Sequence, residues 1–366
     1  MKKIIHIQLQ PILSGVQKVC LDEMRNLGKE YEQILVCSST GTLTDLAKKE
    51  GVRTITINSL VRDISPWNDL KSLIKLVKLF KDLKPDIIHT HSSKTGFLGR
   101  VAAKIAGVKK IVHTVHGFAF PSTNNRLLRF IYFAMEYIAA LCTDDIIVMN
   151  EDDYLTALNK LPIKKNRVHL IYNAVEIIGD EHSEFSRDII INHDKYNIIM
   201  VGRLCEQKNP ILLLKAFLKL KDDQTNLYIV GDGPQREYLE KFIEQNELND
   251  KVFLLGWRDN VQHLLPHFDL FVLPSLWEGM PLAILEAMAA RVPVICSDIP
   301  ANNFLISKSA GMLFESNNDE ALKQKIKKML NNAQLQNIYR QKAYDSIREN
   351  FNLKDRINKI VGIYGK

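Results

Sequence analysis

Leu270-Phe271-Val272-Leu273, followed by PSLWEGMPLAILEAMAARVPVICSD over Pro274–Asp298, is the segment from which the architecture follows. The apolar run reads as a buried strand that ends at Pro274. A loop carries Glu278 and Gly279, and a helix begins near Pro281, where a missing N–H costs nothing in the first turn. A second strand follows at Val294–Cys296. Strand, loop, helix and strand in this order make one unit of a parallel α/β sheet, and ligands bind such sheets at the C-terminal ends of the strands. Gly279 lets backbone approach a ligand closely. The N–H groups of Met280, Leu282 and Ala283 at the helix start, with Pro281 among them, suit a diphosphate. Glu286 stands about one and a half turns into the helix, where a carboxylate can accept hydrogen bonds from both hydroxyls of a ribose. Glu278 would lie beyond the phosphates.

The same alternation extends in both directions. Upstream, strands are predicted at Ile4–Leu9, Gln33–Cys37, Thr54–Ile57, Ile87–His89, Lys110–Thr114 and Ile146–Met149. Helical patterns separate them at Gln17–Leu27, Asp69–Leu83, Gly99–Ala106 and Leu127–Cys142. The pattern lapses over EIIGDEHSEFSRDIIINHDKY and restarts at Asn197–Val201. Helices at Pro210–Leu220 and Arg236–Asn246 then alternate with strands at Leu227–Val230 and Val252–Leu254, and 320–363 reads as mostly helical. The expected organisation is a first domain at 1–175, a linker at 176–196, a second domain at 197–350, and a C-terminal helix at 351–366 that packs back on the first domain.

Taken together, these residues resemble family 4 glycosyltransferases, retaining enzymes of the GT-B fold with two Rossmann-like parallel-sheet domains facing a central cleft. In that family the donor signature has two glutamates eight apart, as Glu278 and Glu286 are, and continues Glu-Ala-Met-Ala-x-Gly-x-Pro-Val-Ile. Arg291 stands here where the family usually has Gly. Val201-Gly202-Arg203-Leu204, with Lys208-Asn209 after it, is similar to the element whose Arg and Lys neutralise the donor diphosphate. Gly202 permits a tight exit from a strand, and two cations offset two phosphate charges. Gly231-Asp232-Gly233-Pro234 resembles the family's next glycine turn. Ser14-Gly15 falls at its first glycine-rich loop, where Gly15 would admit phosphates. His116 in HTVHGF falls where the family has a histidine close to the donor sugar, and Asn173-Ala174-Val175-Glu176 resembles the element at the domain junction.

The resemblance implies transfer, with retention, of a sugar from a nucleotide-sugar, expected to be a UDP-sugar, to a hydroxyl of a glycan. His116, Arg203, Lys208 and Glu278 are the expected catalytic set. Gly15, Gly202, Gly279, Met280, Pro281, Leu282 and Glu286 are expected to bind the donor. The wording HTHSSKTGFLGR…HTVHGF resembles bacterial enzymes of O-antigen and capsule synthesis, which implies a polyprenyl-diphosphate-linked acceptor. A sugar-nucleotide epimerase of the same fold and a nucleotide-sugar-binding module without catalysis are the alternatives.

Four histidines lie at two strand ends: His89 with His91, and His113 with His116. No Asp, Glu or Cys accompanies them at ligand spacing, so a zinc site is not expected. His89 and His113 are expected to cap strand ends, and His91 and His116 to face the cleft. Asp144-Asp145 introduce a strand and Glu151-Asp152-Asp153 suit a helix N-terminus, so neither acidic pair is taken as a metal-diphosphate site. With Arg203 and Lys208 present, no metal or cofactor is expected.

The chain has 366 residues, and its net charge of +7 is uneven, with +9 through Val175 and −2 beyond it. A basic first half suits an anionic partner. Lys71, Lys75 and Lys78 form one stripe on Asp69–Lys84, expected to meet an anionic membrane surface. No nucleic-acid motif accompanies the charge. Phe130–Cys142 is apolar apart from Glu136, too short to span a bilayer, and is expected to be a core helix in preference to the wall of an acceptor groove. Five scattered cysteines without a CxxC pair point to a reducing compartment. The N-terminal MKKIIHIQLQP reads as a first strand, not a leader. The expected location is cytoplasmic, peripheral on the inner face of the membrane if the lysine stripe docks.

Overall fold

The computed structural model describes the chain except for residues 122, 124, 178–188, 190, 307–309 and 366. It divides into two units, one of residues 1–173 with 354–366 and one of residues 174–353. The expected linker falls largely on 178–188 and 190, outside the described residues.

The first unit runs β1 (Lys2–Ile7), α1 (Gly15–Asn26), β2 (Tyr31–Cys37), α2 (Thr42–Lys49), β3 (Arg53–Thr56), α3 (Pro66–Leu83), β4 (Ile87–His91), α4 (Ser93–Ala106), β5 (Lys110–Val115), α5 (Arg126–Leu141), β6 (Asp145–Val148), α6 (Glu151–Lys160) and β7 (Val168–Leu170). Its seven strands are parallel in the order β3-β2-β1-β4-β5-β6-β7. Such strands are covered on both faces, which is why they read as unbroken apolar runs. On one face Leu76 and Phe80 of α3 and Leu98, Ala102 and Ala103 of α4 pack on Ile5, Ile7, Ile34 and Ile88.

The second unit runs β8 (Tyr196–Val201), α7 (Pro210–Leu220), β9 (Thr225–Val230), α8 (Arg236–Gln245), β10 (Val252–Gly256), α9 (Val261–Leu264), β11 (Leu270–Leu273), α10 (Leu282–Ala289), β12 (Val294–Ser297), α11 (Pro300–Ile306), β13 (Met312–Phe314), α12 (Asp319–Leu330) and α13 (Ala333–Asn350). Six parallel strands lie in the order β10-β9-β8-β11-β12-β13. A last helix, α14 (Leu353–Gly365), returns to the first unit, where Ile360, Ile363 and Tyr364 pack on Ile4, Ile87, Val112 and Ile147. Relative to the sequence expectation, Ala174 and Val175 group with the second unit, and Val175 exchanges backbone hydrogen bonds with Phe351 and Leu353.

Two local expectations need correction. α5 is not a core helix. Its buried residues are Glu136, Ala139 and Ala140, while Leu127, Phe130, Tyr137, Ile138 and Leu141 are exposed. Glu136 faces α4 because Arg100, itself fully buried, grips it at 2.8 and 3.0 Å. That pair and two alanines form the seat, so the large side chains turn outward. The start of α10 also differs slightly: Pro281 is its cap, and Leu282 is the first helical residue.

Arg291, at the position where glycine is usual, adopts the left-handed conformation that glycine favours, with φ 56°. Its guanidinium lies 4.1 Å from the centre of the Tyr344 ring, a cation–π contact that offsets part of the strain.

Candidate functional site

In the second sheet β8 and β11 are neighbours, with β9 outside β8 and β12 outside β11. The chain order reverses between them, so the loops leaving their C-terminal ends diverge and leave a crevice. Most of the sequence-predicted donor residues come from these two loops, with Leu282 and Glu286 on α10 and Gly15 in the first unit. Residues 202–209 follow β8 and carry Gly202, Arg203 and Lys208; residues 274–281 follow β11 and carry Glu278, Gly279, Met280 and Pro281.

Lys208 and Glu278, 70 residues apart, meet. Lys208 Nζ donates to Glu278 Oε1 at 2.5 Å, and Ser275 Oγ donates to the same oxygen at 2.6 Å. The pair is largely shielded, with side-chain exposures of 17% and 6%. Leu276 N donates to Gln207 O at 2.8 Å and Gln207 Nε2 to Trp277 O at 3.0 Å, which fastens one loop to the other. Ser275 O accepts from Ser297 Oγ, which ties the β11 loop to the end of β12. Arg203 is exposed, with no ion-pair partner among the described residues. Glu286 is half-buried on α10, one turn beyond Leu282.

The glycine turn after β9 has a steric cause. A Cβ on Gly231, at φ 138°, would lie 2.0 Å from the carbonyl oxygen of Gly202, and one on Gly233 would lie 2.4 Å from that of Leu204. Only bare backbone lets these two loops touch.

The first sheet has its own reversal, between β1 and β4. Ser14 caps α1 and Gly15 opens it, with no atom within 4 Å of where a Cβ would stand. His116 follows β5 and is half-buried. Burial first, and the Arg356 charge second, lower its pKa to about 3, so its imidazole is neutral at physiological pH. It contacts His91, with Nε2 3.3 Å from His91 Nδ1.

The histidine expectations change here. His91 is fully buried and does not face open space. His89 does not merely end a strand, because Tyr364 Oη lies 2.6 Å from its Nδ1 and Thr114 Oγ1 2.7 Å from its Nε2. A carboxylate does accompany these rings: Glu23 of α1, whose Oε2 is 3.5 Å from His89 Nδ1 and 3.9 Å from His91 Nε2. Sequence spacing could not reveal it, since Glu23 lies 66 residues before His89.

The acids weighed as metal ligands have other partners. Asp145 accepts from Lys110 and His169, each at 2.6 Å. Asp144 accepts from Ile111 N, and Asp153 N is capped by Asn150.

Lys71, Lys75 and Lys78 are all exposed on α3, beside exposed Trp67, Leu70 and Ile74. A groove of about 310 Å³ is walled by Phe120, Phe130 and Phe133 and rimmed by Arg126, Arg129 and Lys160, so part of Phe130–Cys142 does line a groove, the less favoured of its two sequence readings. No described helix is long and apolar enough to cross a membrane.

Two Rossmann-like parallel sheets, with paired switch-point loops on the second, give the chain the GT-B architecture. The model described as "Glycosyltransferase Family 4" matches residues 13–177, and that described as "Glycosyl transferases group 1" matches 181–346. An Escherichia coli UDP-Gal:alpha-D-GlcNAc-diphosphoundecaprenol alpha-1,3-galactosyltransferase is 39% identical, covering 99% of this chain and 96% of the relative. The capsular polysaccharide biosynthesis glycosyltransferase CapM of Staphylococcus aureus is 26% identical over 75% of each chain. Anabaena Alr3699/HepE, solved with UDP and glucose, superposes with TM-score 0.83 at 16% identity over all of both chains. The chain belongs to the family 4 glycosyltransferases.

Proposed function

We propose that the chain transfers a hexose, galactose being the first to test, from a UDP-sugar to a hydroxyl of a polyprenyl-diphosphate-linked glycan in surface-polysaccharide synthesis, with retention at the anomeric carbon. The observation that carries this reading is the whole-length similarity to the E. coli galactosyltransferase, combined with the Lys208–Glu278–Ser275 constellation at the switch point. Glu286 would bind the ribose hydroxyls. Arg203, Lys208 and the backbone N–H groups of Met280, Leu282 and Ala283 would bind the diphosphate, with Gly202 keeping the loop close.

When the anomeric C–O bond breaks, negative charge grows on the departing diphosphate and positive character on the sugar ring. Lys208 and Arg203 offset the first, a contribution realised mainly in the transition state. Glu278, held by Ser275 and Lys208, is directed at sugar hydroxyls. His116, neutral by virtue of its burial, would orient the transferred sugar, and Gly15 would leave room for the phosphates. The acceptor oxygen attacks from the leaving-group side, and its proton passes to the departing phosphate oxygen. The two cations replace a divalent metal at the diphosphate.

On the acceptor side, the groove rimmed by Arg126, Arg129 and Lys160 combines apolar walls with three positive charges. That chemistry fits a lipid diphosphate. The exposed apolar residues of α5, with Trp67, Ile74 and the lysine stripe of α3, suit an interfacial position on an anionic membrane.

The test is transfer from a panel of UDP- and GDP-sugars to a synthetic GlcNAc-diphosphate-lipid, with product configuration read by NMR. An α-linked product from a UDP-hexose, formed in the presence of EDTA, is expected. A β-linked product would overturn retention, and turnover restored only by manganese or magnesium would overturn the cationic reading of the diphosphate site.

A further inference from the structure

On one face of the first sheet, His6 of β1 stands directly beside His89 of β4 in the parallel register. His91, two residues on, shares that face. Glu23 reaches the same spot from α1, and one donor atom from each of the four lies within 4.8 Å of the others. All four residues are buried, at 1% exposure or less.

How these side chains use their atoms is informative. Each of three has its far atom occupied by a neighbour. Glu23 Oε1 accepts from Arg356 Nη2 at 2.6 Å, His91 Nδ1 meets His116, and His89 Nε2 meets Thr114. Their near atoms converge. Glu23 Oε2, His91 Nε2 and both nitrogens of His6 have no hydrogen-bond partner among the described residues. His89 Nδ1 faces the same spot and is hydrogen-bonded to Tyr364 Oη at 2.6 Å, a hydroxyl that must turn aside for this nitrogen to ligate. A buried polar atom without a partner is costly, and here several point at one place. Bound imidazoles and carboxylates show this arrangement, with an outer partner fixing the far atom and a lone pair directed inward. The observed separations of 3.5 and 3.9 Å are close to the roughly 3.3 Å that bonds of about 2.0–2.1 Å impose across a tetrahedron.

We propose that His6, Glu23, His89 and His91 bind one divalent transition-metal ion, zinc by the chemistry of three imidazoles and a carboxylate. The neutral imidazole is the ligating form, and burial of all three rings favours it. The ion is structural. It joins β1, α1 and β4, and through Arg356 and Tyr364 it holds α14 against the sheet. His91 is then a positioning residue for His116. The site lies wholly within the first unit, whereas the candidate diphosphate loops belong to the second.

The test is elemental analysis of full-length protein grown with zinc and purified without metal-affinity chromatography. One zinc per chain is expected, with an X-ray absorption spectrum of nitrogen and oxygen ligands and, after cobalt exchange, the visible bands of tetrahedral Co(II). Stripping the ion under mild denaturation should lower Tm, and zinc should restore it. Glu23→Gln and His91→Asn should each lose the metal. Metal-free wild-type protein whose Tm ignores added zinc and cobalt would overturn the proposal, whether or not the variants fold, as would electron density showing a water bridging these atoms. Bound zinc is read without any sugar substrate, so its absence would leave the transfer reaction untouched.

Discussion

Lys208→Met should separate two jobs that one side chain holds. In the folded protein Lys208 is the partner of Glu278 at 2.5 Å, and Glu278 is only 6% exposed. Removing the cation leaves a shielded carboxylate with Ser275 as its remaining donor. Loss of one partner from a fully buried pair costs about 3–5 kcal/mol, and from an exposed pair about 0–1. This pair lies between those limits, so about 2 kcal/mol of stability should go. Adding Glu278→Gln removes the stranded charge and should return most of it. Affinity for UDP should behave differently. A charge-assisted bond to phosphate contributes about 1.5–3 kcal/mol, so Lys208→Met should weaken UDP roughly 10- to 150-fold. Glu278→Gln offers no cation in exchange, so the double variant should stay weak. Chemical denaturation gives the stability cycle, and calorimetry with UDP gives the binding cycle. If the double variant regains wild-type affinity for UDP, Lys208 serves only to neutralise Glu278, and its assignment to the diphosphate fails.

Four further outcomes can be checked. Glu286→Gln should weaken UDP and UDP-sugar alike by about 1.5–3 kcal/mol through loss of charge-assisted bonds to ribose; calorimetry showing unchanged affinity in a folded variant would remove Glu286 from the site. Arg291→Ala keeps the left-handed backbone and loses the Tyr344 contact, whereas Arg291→Gly relieves the strain, so the glycine variant should have the higher Tm and the reverse order would contradict the strain argument. The buried imidazole of His113 stays neutral in the fold but takes up a proton in the unfolded chain below about pH 6.5, so its contribution to stability is full above that pH and falls as pH drops below it, by up to about 1.4 kcal/mol per pH unit; urea midpoints that rise between pH 6.5 and 5 would refute this. Changing Lys71, Lys75 and Lys78 to Glu should reduce sedimentation with anionic liposomes while donor hydrolysis in solution persists, and wild-type protein that ignores such liposomes at low salt would leave the stripe a solvated helix face.

What the sequence disclosed follows from where the information lies along the chain. Buried parallel strands declare themselves as short apolar runs, so LFVL at 270–273 and the start of β4 at Ile87–His89 were legible, while Thr90 and His91, polar but buried, were not assigned to the strand. Short edge strands such as β7 and β13, three residues each, carry too few side chains to show a period. The candidate donor loops were legible because glycine, proline and acid stand there in fixed order within a few residues. α5 misled because apolar content does not say which way a helix faces. The deciding partner, Arg100, lies on α4, and it turns Glu136 inward and Phe130 outward.

Pairings across long separations were invisible for the same reason. Lys208 and Glu278 were each singled out, but for different parts of the donor, and only the adjacency of β8 and β11 brings them into one ion pair. The histidine cluster is the stronger case. His89 and His91 have no acid at ligand spacing in sequence; Glu23 comes from α1, His6 from the strand beside β4, and Arg356 from a helix more than 260 residues further on. Each contributor is unremarkable in its own segment. A histidine inside a buried strand and a glutamate on the inner face of an amphipathic helix are each costly when solitary. Two such costs on elements that the sheet order makes neighbours are a reason to expect a shared partner, and that expectation can be formed once strand order is known, before any side chain is placed.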